Sequence, residues 1–301
     1  MRRGPTVSLL DQVLANASNA LMVLAVAGTS TPTQFGTFTI AYASLIFVVG
    51  LERSLLATPI SLASGATALV RDEAAKAVGL LLLSAPVTVS LVFLGSGVLS
   101  GSAGPPTIGL AVATPIVLAQ DSLRYAAVAL KRPQAAFWSD LVWFAAAGIA
   151  FAGQILVGFG STIVILAWVL GGVASLFVVS FLLRIRPRLT ALGAWLRDSR
   201  ELRYRLTVGA AAMSASVPIA LAAFSALGGT AAVAAIGGAS QLMAPVNTIT
   251  AFIGLVLVAE MTGAARDTRL RVARLAAGGL AMASLVWASL LLVMPVQWGT
   301  V

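Results

Sequence analysis

Cysteine and histidine are both absent from this chain. The first absence removes disulfides, thiolate nucleophiles and cysteine metal sites, and the second removes imidazole ligands and the commonest general base at neutral pH. Charge is scarce as well, at 10% of 301 residues, and no phosphate-cradling glycine loop of the nucleotide-binding type occurs. No catalytic residue, metal site or cofactor is therefore assigned, and an enzyme is not expected. In place of these groups, 59% of residues are hydrophobic and the mean hydropathy is +0.99. Such values belong to a multi-span helical membrane protein, because lipid cannot satisfy the edges of an open sheet.

Hydrophobic windows punctuated by Gly, Pro and charge give nine spans, near 8–28, 37–63, 74–99, 106–129, 135–158, 162–183, 206–227, 231–258 and 273–294. Basic residues precede the first span (Arg2, Arg3) and follow the second (Arg71, Lys76), fourth (Lys131, Arg132), sixth (Arg184 to Arg205) and eighth (Arg266, Arg269, Arg271, Arg274). The alternate loops TSTPTQ, GSAGPP, GFGST and GGT carry no charge. This alternation explains the net charge of +9 by membrane orientation rather than by a nucleic-acid partner, and it places the N-terminus in the cytoplasm. A cleaved signal peptide is the rival reading of the first segment. Asp11, Gln12, Asn16 and Asn19 interrupt the apolar core it needs, so the first helix is expected to be retained.

Polar groups inside the spans are the candidate site. A charge at membrane depth costs roughly 2.5 to 3.5 kcal/mol on insertion scales, so each needs a reason. Gln12, Asn16 and Asn19 are spaced to share one helical face, with Asp11 and Ser18 at its flank. Their alternative is ordinary helix–helix hydrogen bonding, worth about 0.6 kcal/mol each. Glu52 and Arg53 lie in the second span, Gln120, Asp121 and Arg124 in the fourth, and Asp140 in the fifth. Asp121 and Arg124, three apart, can neutralise each other. Arg53 has no such neighbour, since Glu52 projects about 100° away on a helix, and its partner must come from another helix or from a ligand.

After the sixth span the composition changes abruptly, giving an N-terminal lobe of six helices (1–183), a basic amphipathic cytoplasmic linker (184–205) and a partial C-terminal lobe of three helices (206–301). Leu189, Leu192, Trp195 and Leu196 share a face of the linker, as in a helix lying in the membrane surface among anionic lipid headgroups. The pattern of the first part returns about 195 to 199 residues later: Arg71-Asp72 corresponds to Arg266-Asp267, and the turn near Gly28 to Gly228-Gly229. Six spans between copies make this a parallel repeat. In the second copy Gln241, Pro245 and Thr248 share a face with Asn247 beside them, Pro218 interrupts the seventh span, and Glu260 lies near an interface.

Asp11-Gln12, Ser18-Asn19, Phe35-Gly36-x-Phe38 with Tyr42, and Leu51 with Arg53 resemble polysaccharide-export flippases of the multidrug and oligosaccharidyl-lipid/polysaccharide exporter superfamily. The likeness covers about the first 65 residues. It implies two six-helix lobes around a central cavity that opens alternately to each side of the cytoplasmic membrane, carrying a lipid-linked oligosaccharide outward. It also implies Arg53 as the group that meets pyrophosphate or acidic sugar, while Arg124 joins it on physical grounds alone, guanidinium being matched to phosphate. In this reading Gln12, Asn16 and Asn19 contact sugar, and Asp11, Glu52, Asp121 and Asp140 act as charge partners or carry a coupling proton. Partners would be membrane lipid, the lipid-linked oligosaccharide, and a polysaccharide polymerase or glycosyltransferases. The family has twelve or more spans, so this chain is expected to be a shortened member or to have its bundle completed by another chain. Two alternatives stand beside the flippase: a cation antiporter of the multidrug-exporter kind, in which the acids are primary, and a non-transporting fragment or scaffold.

Overall fold

The structure is a computed structural model and describes residues 4–63, 66–100, 104–241 and 266–293. Helix α1 spans Gly4–Thr29 and is followed almost at once by α2, Pro32–Glu52. Thr31 caps α2: its hydroxyl accepts from Gln34 N–H at 3.3 Å, and the Gln34 side chain accepts from Thr31 N–H at 3.0 Å. The uncharged segment TSTPTQ is thus mostly a helix start. Thr followed three residues later by Gln, with Pro32 in the first turn, is the sequence signature for it.

Helix α2 does not stop at Glu52. It widens into a π-turn over Arg53–Ala57 and resumes as α3, Thr58–Leu62, forming one 31-residue span from Pro32 to Leu62. Pro59 supplies the cause. It has no N–H for the Leu55 carbonyl four residues back, and its ring crowds that carbonyl, so the turn opens and Thr58 N–H reaches back to Arg53 O. A second proline, Pro86, lies just past the junction of α4 (Thr67–Leu83) and α5 (Ala85–Ser100), and that pair is bent by 57°.

Helices α6 (Pro105–Ala129), α7 (Pro133–Val157) and α8 (Ser161–Leu183) follow with short connections, α6 and α7 again starting on proline. Then come α9 (Leu192–Asp198), α10 (Arg200–Ser214) and α11 (Ser216–Gln241). The backbone of α11 leaves helical geometry at Gly229, with φ +74° and ψ 177°. That left-handed φ suits a residue without Cβ, and it falls in the expected GGT turn. Gln241 ends the described part of the eighth expected span, and Pro245, Asn247, Thr248 and Glu260 lie outside the described residues.

Residues Met1–Gln241 form one compact unit and Leu242–Val301 a second. Of the second, one helix is described, α12 (Arg266–Val293), with Arg266, Asp267, Arg269, Arg271 and Arg274 in its first turns and an apolar run beyond. The chain is all-α among the described residues. Among the described residues five helical stretches are long and apolar enough to cross a membrane, and a sixth is added if α4 and α5 count as one broken span.

In the first unit α6 is central, touching α2, α3, α4, α5, α7 and α8. It has 25 residues yet falls short of the apolarity of the other spans, because Gln120, Asp121 and Arg124 face protein rather than lipid. Helix α1 packs on α7 and α8. Trp143 of α7 and Trp168 of α8 lock those two together, with ring centroids 5.0 Å apart and Trp143 Nε1 donating to the Trp168 carbonyl at 2.9 Å. Helix α11 packs along α2 through small residues, and a Cβ on Gly36 would run into the Thr230 carbonyl.

The linker lies on the protein rather than apart from it. Leu192 and Trp195 are buried in the main core and Leu196 packs against it, whereas Leu189 is exposed. The first unit extends past 184–205 through α10 and α11, and α10 contacts α2 and the π-turn.

Candidate functional site

Four helices bring the intramembrane charges together. Arg53, at the start of the π-turn, meets Asp121 of α6 in a two-pronged ion pair, Nε to Oδ2 at 2.7 Å and Nη2 to Oδ1 at 2.9 Å. This fork is the strongest geometry open to an arginine and a carboxylate. The partner that the sequence required from elsewhere comes from the neighbouring helix.

Arg124 is enclosed. Its Nη2 donates to Asp11 Oδ2 of α1 at 3.0 Å and to Gln12 Oε1 at 3.1 Å, its Nε lies 3.0 Å from Asp140 Oδ2 of α7, and its Nη1 reaches Asp121 Oδ1 at 3.4 Å. The Asp140 contact is an ion pair without hydrogen-bond alignment, so both Arg124 Nε and Asp140 Oδ2 lack a hydrogen-bond partner. The same-helix pair with Asp121 is the longest of these contacts. The closer partners are on α1 and α7, which intrahelical spacing cannot disclose.

Neutral groups extend the network. Gln120 Nε2 donates to Asp140 Oδ1 at 2.6 Å and to Ser139 Oγ at 3.1 Å, and Ser139 bonds Ser175 of α8. Ser122 donates to Glu52 Oε1. Ser122, Ser139 and Ser175 escaped the reading of the sequence. The signal was adjacency, since Ser122 follows Asp121 and Ser139 precedes Asp140.

Two features set the electrostatics. Four buried carboxyl groups, Asp11, Glu52, Asp121 and Asp140, surround two guanidinium groups, Arg53 and Arg124, so acids outnumber bases by two. Asp11 Oδ1 and Glu52 Oε2 are buried with no hydrogen-bond partner. Secondly, the two arginines differ in access: the side chain of Arg53 is 37% exposed and that of Arg124 only 6%. The remaining candidates, Asn16 and Asn19, lie one and two turns beyond Gln12 on α1 and are half-buried.

The chain matches no family model and no curated protein. It is similar to a solved inward-facing multidrug resistance MATE family transporter of the MOP superfamily. The identity is 18% and the TM-score 0.47, and the match covers 92% of this chain and 67% of that one. The intramembrane cluster therefore has to be interpreted from its own chemistry. It joins α1, the second span, α6 and α7 through charge pairs, and an unpaired ion inside a membrane is far costlier than a paired one. Among the described residues no group of three or more acidic side chains is arranged to hold a metal ion.

Proposed function

We propose that this chain is a proton-coupled membrane transporter of the flippase type, moving an anionic lipid-linked oligosaccharide from the cytoplasmic to the outer face by alternating access. The observation that carries this is the charge cluster, where four carboxyl groups meet two guanidiniums within the spans while Arg53 keeps an exposed edge. A two-charge acidic excess inside a bilayer needs balancing charge, and a carboxyl whose second oxygen is buried without a partner, as in Asp11 and Glu52, can take it up as a proton. Arg124, with carboxylates on several sides, holds the network together. Arg53 offers its remaining guanidinium edge to phosphate, which it suits because its planar donors bind two oxygens. The oligosaccharide, the superfamily resemblance and the cytoplasmic N-terminus belong to this proposal, as do partner polysaccharide enzymes.

The acidic excess also supports a second reading, a multidrug-type cation antiporter in which Asp11 and Asp140 are primary. Proteoliposomes separate the two. With a pH gradient, uptake of a fluorescent pyrophosphate-linked lipid sugar is expected to fall sharply in Arg53→Lys, which keeps a charge beside Asp121 but loses the fork. Undiminished sugar uptake in that variant, together with gradient-driven efflux of a cationic dye that Asp140→Asn abolishes, overturns the flippase reading in favour of the antiporter.

A further inference from the structure

A buried cation outside the charge cluster has no part in the transport chemistry proposed above. Arg203 of α10 has a side chain only 3% exposed. Each guanidinium nitrogen has a partner: Nε donates to Ser199 Oγ at 2.6 Å, Nη2 to Glu73 Oε2 of α4 at 3.1 Å, and Nη1 to the backbone carbonyl of Leu55. Arg203 Cζ lies over the Trp195 ring, 4.2 Å from its centre, and Trp195 Nε1 donates to the other Glu73 oxygen at 2.7 Å.

The Leu55 carbonyl is an unusual acceptor. In an uninterrupted α-helix it would accept from residue 59, which is proline and has no N–H. A carbonyl orphaned inside a protein is costly unless another donor reaches it. Arg203 supplies that donor from a different helix. Leu55 lies in the π-turn two residues after Arg53, so the group that satisfies this carbonyl also fixes the turn from which Arg53 extends toward Asp121.

We infer that Arg203 is a positioning residue for Arg53, acting through the Leu55 carbonyl, and that Glu73 and Trp195 hold its guanidinium in place. The segment between the sixth and seventh expected spans is thereby tied to the charge cluster. Its significance for cargo rests on the transport reading, but the geometric claim does not, and the test below uses no cargo.

The chain has no native cysteine, so a single cysteine at Ser54, inside the π-turn, reports the state of that turn through its rate of reaction with a water-soluble maleimide in native membranes. Arg203→Lys keeps a positive charge beside Glu73 and Trp195 but cannot span Ser199, Glu73 and Leu55 together. Labelling of the cysteine is expected to quicken about tenfold, the factor set by losing one charge-assisted hydrogen bond. Adding Pro59→Ala restores an N–H four residues after Leu55 and is expected to bring the rate back to within about twofold of the parent, a coupling that independent sites do not show. If Arg203→Lys does not reach the membrane, Arg203→Met with Glu73→Gln removes both charges and permits the same comparison. An unchanged rate without Arg203, or an effect that Pro59→Ala leaves in place, overturns the inference and leaves Arg203 with a local packing role. Either result is independent of whether the oligosaccharide is the cargo.

Discussion

Replacing Arg124 by glutamine removes one guanidinium and strands Asp11 and Asp140, each 3.0 Å from it, while Asp121, 3.4 Å away, keeps its pair with Arg53. Deleting one partner of a buried ion pair costs roughly 3–5 kcal/mol, because the charge left behind is neither solvated nor paired. The side chains here are 6% exposed or less, so water offers little relief. At roughly 2–4 °C per kcal/mol for a chain of about this size, melting in detergent should fall by roughly 6–20 °C. The sharper expectation concerns recovery. Adding Asp11→Asn and Asp140→Asn to Arg124→Gln leaves Asp121 with its fork to Arg53 and no stranded charge, and the triple variant should regain more than half of the lost melting temperature. Fluorescence-detected size-exclusion after stepwise heating measures both. A single variant that melts within about 2 °C of the parent, or a triple variant that melts no higher than the single, would show that Asp11 and Asp140 are not held by Arg124.

Gly36→Ala should destabilise the α2–α11 contact by roughly 1–3 kcal/mol, since its methyl meets the Thr230 backbone, whereas Gly238→Ala, with nothing within 4 Å, should be nearly neutral. Heating of both variants in detergent checks this, and equal stabilities would refute the packing. Single cysteines at 53 and 140, positions whose native side chains are 37% and 1% exposed, should label at clearly different rates with a water-soluble maleimide, 53 the faster. Comparable rates would mean that the cluster is not closed on the α7 side.

Hydropathy made the polar residues stand out because each is an exception to its surroundings. Glu52, Arg53, Asp121, Arg124 and Asp140 needed no three-dimensional information to be noticed, whereas the helices that begin at Pro32, Pro105 and Pro133 start ahead of the hydrophobic windows, which open near 37, 106 and 135. Pairing was another matter. Spacing along one helix suggested Asp121 for Arg124, but the tighter contacts come from α1 and α7, since helix neighbours in space are set by packing, to which sequence separation is blind. The same limit applied to the linker. An apolar face at Leu192, Trp195 and Leu196 looks alike whether it meets lipid or protein, and the decision rested on Glu73 of α4, which gives Trp195 Nε1 an acceptor. The π-turn was not anticipated: Pro59 removes the N–H that the Leu55 carbonyl would meet in an α-helix, but that Arg203 reaches this carbonyl instead is a tertiary fact.

The 57° bend between α4 and α5 bears on how the protein is made. Helix α4, with 17 residues, is only about 25 Å long, short of the roughly 30 Å hydrocarbon layer. Both halves lean on α6, a helix that arrives later from the ribosome. Stable lodging of residues 67–100 in the bilayer should therefore wait for residues 105–129, so that biogenesis of this protein follows the order in which cover becomes available rather than the order in which the spans emerge.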